Sequence, residues 1–205
     1  MQLYKTLNST NNLTCIYGKA GSGKTTIAMQ TARDYAQEGK KTIFIDSEGG
    51  FSTERFKQLA GKNYEQLLEY IFVFTIKGFK DQQEKIKQLE TLIKQGKFSL
   101  VIVDTLTTYY RRLVNSEPEL ANGMLNSQLR ILKALSKTIP VIITGQVYST
   151  METGIRPTGG KIIEEPSDQL IHLEKEPRII RTLKPEKKEL PFTIKDEGIK
   201  ISQDQ

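Results

Sequence analysis

The stretch LTCIYGKAGSGKTT, residues 13–26, decides the fold. Its second part fits the pattern G-x-x-x-x-G-K-[ST]. An apolar run precedes the pattern and helically spaced apolar residues follow it, which is the strand, loop and helix order that phosphate binding requires. In this arrangement backbone N–H groups surround phosphate oxygens and the helix N-terminus adds a positive field. The predicted nucleotide-binding residues are Gly18, Lys19, Ala20, Gly21, Ser22, Gly23, Lys24, Thr25 and Thr26.

Three side chains at the end of this loop have predicted roles on a nucleotide. Lys24 is expected to reach the β and γ phosphates, Thr25 to bind Mg²⁺ and Thr26 to lie near the α phosphate. A magnesium ion between phosphates also needs a carboxylate, and Asp104 ends the very apolar run LVIVD. We therefore predict Thr25 and Asp104 as the metal site, with ATP and Mg²⁺ as cofactors. The absence of an Asn/Thr-Lys-x-Asp element weakly favours adenine over guanine.

Polar residues also follow two other apolar runs. IFIDSEGG places Asp46 and Glu48 just past a strand, and VIITGQV places Gln146 past another. Because the carboxyl ends of parallel strands form the ligand crevice, all three side chains are expected to face the nucleotide. A carboxylate there can activate water for attack on the γ phosphate, and we predict Glu48 for that role. Gln146 is predicted to sense the γ phosphate, so the predicted catalytic residues are Lys24, Glu48 and Gln146.

The distribution of apolar residues predicts the fold class. Near-continuous apolar runs, typical of strands covered on both faces, occupy residues 13–17, 42–46, 71–75, 100–104 and 140–144. Between them the apolar spacing predicts helices over 25–38, over 81–97 and from Pro118 onward. Strands alternating with helices indicate an α/β fold with a mainly parallel, helix-covered sheet. From about residue 168, short strands broken by turns predict an antiparallel extension of that sheet.

Length and composition limit the other possibilities. A chain of 205 residues without a linker-like break predicts one domain over residues 1–205. No run approaches the about 20 apolar residues of a membrane span and the N-terminus lacks a signal-peptide layout, so we expect a cytoplasmic protein. The net charge of +6 allows attraction to polyanions without requiring it. Cys15 is expected to be a small buried core residue, and His172 to pack in the core or on the surface rather than to bind a metal.

Several segments together resemble one protein family. GKAGSGKTT, IFIDSEGGFSTERF, LVIVDTLTTYYRR, VIITGQV and LPFTIKDEGI occur in the order of the RecA/RadA recombinase core, and the resemblance is strongest to its archaeal RadB branch. The resemblance implies a RecA-like P-loop NTPase with ATPase activity. It also implies that Glu48 is the water-activating glutamate and Gln146 the switch glutamine, and that DNA-facing loops follow Asp104 and Gln146.

These two loops carry the candidate DNA contacts. They are Arg111 and Arg112 on the first loop, and Arg156 and Lys161 on the second, residues 147–161, which is predicted to be mobile. Binding of single strands without sequence preference depends mainly on neutralising phosphates. The resemblance therefore implies single-stranded DNA as a partner, together with a recombinase of the RadA type.

Two features of recombinases proper are not found in the sequence. An N-terminal helical DNA-binding domain and a Phe-x-x-Ala linker motif are missing, since only residues 1–12 precede the first predicted strand. We therefore expect at most a weak homo-oligomer and no long filament. Resemblance to RadB-like proteins implies slow ATP hydrolysis, open to stimulation by DNA, in an accessory role in homologous recombination and DNA repair.

Two other functions stay open from the sequence alone. A signalling ATPase of the KaiC type would use the same nucleotide residues without a DNA partner. A nucleotide-responsive interaction protein would bind ATP without being an enzyme. DNA-induced change in ATP turnover separates the recombination function from the first, and loss of function in a Glu48→Gln variant separates an enzyme from the second. A small-molecule kinase is less favoured, because no Arg-rich lid lies between the later strands.

Overall fold

The computed structural model describes residues 12–150 and 154–202. The strands in these ranges are β1 (Leu13–Gly18), β2 (Lys41–Asp46), β3 (Ile71–Thr75), β4 (Phe98–Asp104), β5 (Val141–Gly145), β6 (Val147–Thr150), β7 (Gly154–Pro157), β8 (Gln169–Lys175), β9 (Arg178–Lys184), β10 (Lys188–Lys195) and β11 (Gly198–Ile201). The α-helices are α1 (Lys24–Gln37), α2 (Thr53–Ala60), α3 (Tyr64–Leu68), α4 (Phe79–Gly96), α5 (Thr108–Leu113), α6 (Pro118–Leu135) and α7 (Lys161–Glu164). A short 3-10 helix, Gly61–Asn63, joins α2 to α3.

A nine-stranded sheet in the order β11-β10-β9-β8-β1-β5-β4-β2-β3 forms the centre of the fold. Strands β1 to β5 pair in parallel, and β9 to β11 are antiparallel. The predicted α/β fold, a mainly parallel sheet with a C-terminal antiparallel extension, is confirmed. The parallel arrangement brings the carboxyl ends of β1, β2, β4 and β5 to one edge, where the predicted site residues lie.

Two strands differ from the prediction, β8 in the direction of its pairing and β3 in its burial. The first strand after residue 168, β8, pairs in parallel with β1, so the antiparallel part of the sheet begins only at β9. The chain returns from β5 to β8 through intervening structure, whereas a tight turn joins β8 to β9 and requires them to be antiparallel. Strand β3 was predicted to be covered on both faces, but it lies at the edge of the sheet, where Phe72 and Val73 are each 38% exposed.

Local sequence explains where several of the helices begin or end. Pro118 is in the first turn of α6, where its missing N–H has no intrahelical partner to lose. Ser52 precedes α2, and its hydroxyl accepts a hydrogen bond from the Arg55 backbone N–H at 3.2 Å. After α1, Gly39 adopts the left-handed conformation with φ +69°.

The segment after β5 is more regular than predicted. Where the sequence predicts a mobile loop over residues 147–161, β6 and β7 pair as an antiparallel hairpin. Residues 151–153 of the predicted loop lie outside the described residues. The rest of the segment leads into α7. The predicted mobility stays a prediction.

Two apolar cores cover the faces of the sheet. On one face, Ile16 and Phe44 pack with apolar residues of α1. On the other, Cys15 is fully buried and belongs to the same core as Ile86 of α4 and Leu125 of α6, which confirms Cys15 as a core residue. His172 also packs within the fold and stacks on Tyr17, with their ring centroids 5.0 Å apart. Among the described residues, no helix combines the length and apolar character of a membrane span.

Candidate functional site

The predicted phosphate-binding loop joins β1 to α1. Gly18 ends the strand, residues 19–23 form the turn, and Lys24 begins the helix. The Lys24 side chain folds back over the turn, and its Nζ donates hydrogen bonds to the carbonyl oxygens of Gly18 and Lys19, both at 3.0 Å. Burial lowers the pKa of Lys24, while the negative charges of Asp104 and Glu48 act in the opposite direction. The Lys24 ammonium group is therefore partly desolvated, at the place where phosphates are expected to bind.

Gly23 occupies a position that a side chain would strain. Its φ is +104°, and an added Cβ would lie 2.9 Å from Ile194 Cδ1. A Gly23→Ala variant is therefore expected to unfold more easily, because the left-handed conformation alone costs an L-residue about 1–2 kcal/mol. Gly39→Ala is the matched control, since Gly39 has φ +69° with no atom within 4 Å of an added Cβ.

Urea denaturation of both variants tests this prediction. In Gly39→Ala the free energy of unfolding should fall only by the cost of the left-handed conformation, about 1 kcal/mol. In Gly23→Ala the free energy of unfolding should fall further, because the Ile194 side chain must also move to make room for the added methyl group. Equal losses in the two variants would show that packing of β10 against the loop does not constrain Gly23.

The predicted metal residues are adjacent. Asp104 is 2% exposed at the end of β4, and its carboxylate accepts hydrogen bonds from the hydroxyls of Thr144 and Thr25. A Cβ on Gly50 would lie 3.6 Å from Thr25 Oγ1 and 3.7 Å from Asp104 Oδ2, so the two groups line one small space. Burial raises the pKa of Asp104, and the two hydroxyls oppose that effect.

This donor set suits Mg²⁺ bound together with phosphate. Magnesium in nucleotide sites is usually held by one or two protein oxygens, with water and phosphate oxygens completing the octahedron. Within residues 12–150 and 154–202 no group of three or more His, Cys, Asp or Glu side chains could hold a metal ion by itself. The Thr25 hydroxyl and the Asp104 carboxylate therefore fit an ion that arrives with a nucleotide.

The Asp46 carboxylate, which lies at the end of β2 next to Asp104 at the end of β4, is bound by the turn that follows β2. Its carboxylate accepts backbone N–H bonds from Glu48 at 3.2 Å, from Gly50 at 3.0 Å and from Phe51 at 2.9 Å. The side chain is 2% exposed and holds the turn that follows β2. Asp46 is thus a structural residue, and Glu48 is the carboxylate of this segment that remains for chemistry.

Glu48 and Gln146 meet directly. The Gln146 Nε2 donates a hydrogen bond to Glu48 Oε1 at 2.9 Å, and the Thr108 hydroxyl donates a short hydrogen bond to the same oxygen. Arg111 in turn donates to Gln146 Oε1. The Gln146 backbone N–H donates to Thr107 Oγ1 at 3.2 Å, which fixes the start of the segment after β5.

The four residues predicted to contact DNA differ in whether they line one cavity and in the partners of their side chains. A cavity of about 610 Å³ between α5 and the β6–β7 hairpin is lined by Arg111, Tyr148, Arg156 and Lys161 among other residues. Arg112 is not among its lining residues, and its guanidinium lies over the Tyr109 ring, 5.4 Å from the centroid. Arg156 forms a two-bond ion pair with Glu164 of α7, which compensates its charge. Arg111 and Lys161 are the exposed cations of this cavity.

Comparison with known proteins assigns the family. The sequence profile of the Rad51 family matches residues 2–202. This chain belongs to the Rad51 family. Its relatives include the DNA repair and recombination protein RadB of Methanococcoides burtonii, 36% identical over 200 residues, which cover 92% of this chain and 88% of the relative. The RadB protein of Methanocaldococcus jannaschii is 38% identical over 168 residues, covering 80% and 78% of the two chains.

A solved structure from the same family has the same fold. The crystal structure of the RadB recombinase superimposes with a TM-score of 0.77 at 30% identity, covering 95% of this chain and 94% of that one. The predicted relation to the RecA/RadA recombinase core and its RadB branch is confirmed. Membership of the Rad51 family supports nucleotide binding, DNA recombination and DNA repair as the field of function.

Sequence reasoning missed some residues of this Rad51-family site. Thr107 and Thr108 contact Gln146 and Glu48, and Thr144 contacts Asp104. Hydroxyl residues are frequent in loops, and the segment DTLTT contains several of them. No pattern in the sequence indicates which of them would face a carboxylate.

Proposed function

We propose that this protein binds ATP with Mg²⁺, hydrolyses it slowly, and assists homologous recombination and DNA repair by binding single-stranded DNA and a recombinase of the RadA type. The observation that carries the proposal is the chain of hydrogen bonds from Arg111 through Gln146 to Glu48. These hydrogen bonds link the segment proposed to face DNA with the side chain proposed to activate water. RadB relatives that are named for DNA repair and recombination support the same field of function.

In the proposed complex, the phosphate loop and two side chains hold the nucleotide. Backbone N–H groups of residues 18–26 surround the phosphates, and Lys24 exchanges its loop carbonyl partners for β and γ phosphate oxygens. The Thr25 hydroxyl and the Asp104 carboxylate would hold Mg²⁺. When bound, the ion neutralises charge that develops on the transferred phosphoryl group.

Glu48 is the proposed base, and its present contacts are consistent with slow turnover. Its Oε1 already accepts hydrogen bonds from Thr108 and from Gln146, so these donors compete with a water molecule for that oxygen. A γ phosphate that attracts the Gln146 amide would remove one of these donors. Glu48 would then orient a water molecule for in-line attack on the phosphorus.

The cavity between α5 and the β6–β7 hairpin is the proposed site for single-stranded DNA. Arg111 and Lys161 supply cations for phosphates, and Tyr148, 36% exposed, offers a ring on which a base can stack. Arg156 contributes less charge because Glu164 is its partner. A phosphate on Arg111 would compete with Gln146 for the guanidinium, so DNA binding and the state of Glu48 are coupled.

Fluorescence anisotropy of labelled single-stranded DNA, at several salt concentrations with ATP and Mg²⁺, tests the DNA role. We expect an Arg111→Ala, Lys161→Ala double variant to bind more weakly than the wild type. Its salt dependence should be shallower by about 0.7 in log–log slope for each lost phosphate contact. A Lys94→Ala, Lys200→Ala double variant is the matched control, because it also removes two exposed cations, whose partners are Glu90 and Glu197.

The outcomes separate the proposed role from its rivals. Equal affinity and salt slope in the wild type and the double variant would place DNA elsewhere on the protein. No binding by the wild type even at low salt would remove the DNA role and leave a nucleotide-dependent switch protein.

A further inference from the structure

A fully buried amide lies behind the candidate site. Gln82 of α4 is 0% exposed, and each part of its amide has a partner. Its Oε1 accepts a hydrogen bond from Ser47 Oγ at 3.0 Å. Its Nε2 donates to the backbone oxygen of Leu106 at 3.0 Å and to Gln128 Oε1 at 2.7 Å.

Two of these partners belong to the two segments that meet at the Glu48 carboxylate. Ser47 directly precedes Glu48 in the turn after β2, and its backbone N–H donates to Asp104 O at 2.8 Å. Leu106 starts the segment that supplies Thr108, whose hydroxyl contacts the Glu48 carboxylate. One side chain, that of Gln82, is thus hydrogen-bonded to both segments that position these two groups.

Packing alone does not explain a glutamine at this position. Burying an amide costs free energy that its hydrogen bonds must offset, whereas an apolar side chain among apolar neighbours would fill a similar space without that cost. The network is also not fully satisfied, since Gln128 Nε2 has no hydrogen-bond partner in the described part of the chain. The amide is therefore better explained by the groups that it orients than by stability.

The neighbouring residue provides a direct comparison. Gln83 is also buried, at 8% exposure, and its Nε2 donates to Ser127 Oγ at 3.0 Å. Ser127 lies on α6, so this contact joins two helices and reaches neither strand end. Gln82 and Gln83 therefore have the same chemistry and similar burial, but only Gln82 contacts the segments around Glu48.

We propose that Gln82 is a positioning residue for ATP hydrolysis, which fixes Ser47 and Leu106 so that Glu48 is held in place for the attacking water. The proposal rests on the hydrolysis proposed above. Among the described residues, the hydrogen bonds of the Gln82 side chain go to Ser47, Leu106 and Gln128, so it acts through the two backbone segments and not on the nucleotide itself. A displacement of a catalytic group by about 1 Å can lower turnover by about 100-fold, so a loss of this support should be measurable.

The test compares Gln82→Met with Gln83→Met, because methionine keeps the length of the side chain and removes the amide. Gln82→Met should lower the ATP turnover number by about tenfold or more and leave ATP affinity within about twofold. Gln83→Met should leave both quantities close to the wild-type values. Thermal unfolding of both variants measures the shared structural cost of losing a buried amide.

Hydrogen–deuterium exchange of the nucleotide-free protein supplies a readout that is independent of hydrolysis. In Gln82→Met, backbone amides of residues 47–51 and 105–108 should exchange about tenfold faster, because their side-chain anchor is gone. In Gln83→Met they should not. If Gln82→Met folds poorly, Ser47→Ala is the alternative variant, because it removes the hydrogen bond between Ser47 and Gln82 and leaves Gln82 in place. It should show the same faster exchange of residues 47–51.

The outcomes separate the positioning role of Gln82 from the proposed ATP hydrolysis. Unchanged exchange in both Gln82→Met and Ser47→Ala, or equal loss of turnover in Gln82→Met and Gln83→Met, would overturn the positioning role. If the wild-type protein has no ATP turnover, the proposed hydrolysis fails. The exchange result alone then decides whether Gln82 positions the segment that carries Glu48.

Discussion

Replacing Glu48 by Gln is expected to lower ATP turnover by about 100- to 10,000-fold, the usual effect of removing a general base. The amide has nearly the shape of the carboxylate, and its oxygen can still accept the hydrogen bonds that Thr108 and Gln146 now donate. It cannot take a proton from the attacking water. Nucleotide affinity and folding should therefore stay close to the wild type while turnover falls.

Steady-state phosphate release and nucleotide titration measure these two quantities separately. Glu54→Gln is the matched control, since Glu54 lies in the first turn of α2 and the substitution removes the same charge a few residues further along the chain. The control should hydrolyse ATP like the wild type. Undiminished turnover in Glu48→Gln would assign the activation of water to another group.

Replacing Lys24 by Ala is expected to weaken ATP binding by about 100-fold or more. A hydrogen bond to a charged group contributes about 1.5–3 kcal/mol, and Lys24 is proposed to make such bonds to two phosphates. The side chain is already desolvated, with 8% exposure and a pKa that burial lowers, so little further dehydration is needed when the nucleotide binds.

Isothermal titration calorimetry with a non-hydrolysable ATP analogue and Mg²⁺ tests this prediction. Lys19→Ala is the control, because Lys19 belongs to the same loop but its side chain is exposed. Loss of affinity in Lys24→Ala and not in Lys19→Ala supports a specific phosphate contact. Similar losses in both variants would instead indicate a general electrostatic attraction between the basic loop and the nucleotide.

The amino-acid sequence predicted the parts of this protein that depend on neighbouring residues. The phosphate loop, the strand ends at Asp104 and next to Gln146, and the helix start at Pro118 all follow from local backbone geometry or from the pattern of apolar residues. These features are encoded within a few residues of one another, so a single sequence is enough to recognise them.

The contacts of Glu48 could not be predicted in this way. Its hydrogen bond with Thr108 joins residues 60 positions apart, and that with Gln146 joins residues 98 apart. The turn after β2, in which three backbone N–H groups hold the Asp46 carboxylate, was likewise not predicted. Gln82 carried no signal in the sequence, where it is one polar residue of an amphipathic helix.

By itself, the sequence determined that this chain is an α/β protein with a phosphate-binding loop, because glycine spacing and apolar periodicity act over a single strand, turn and helix. Only the tertiary structure decided which side chains hold the Glu48 carboxylate. Those hydrogen bonds connect the carboxyl ends of different strands, and the strands meet only when the parallel sheet has formed.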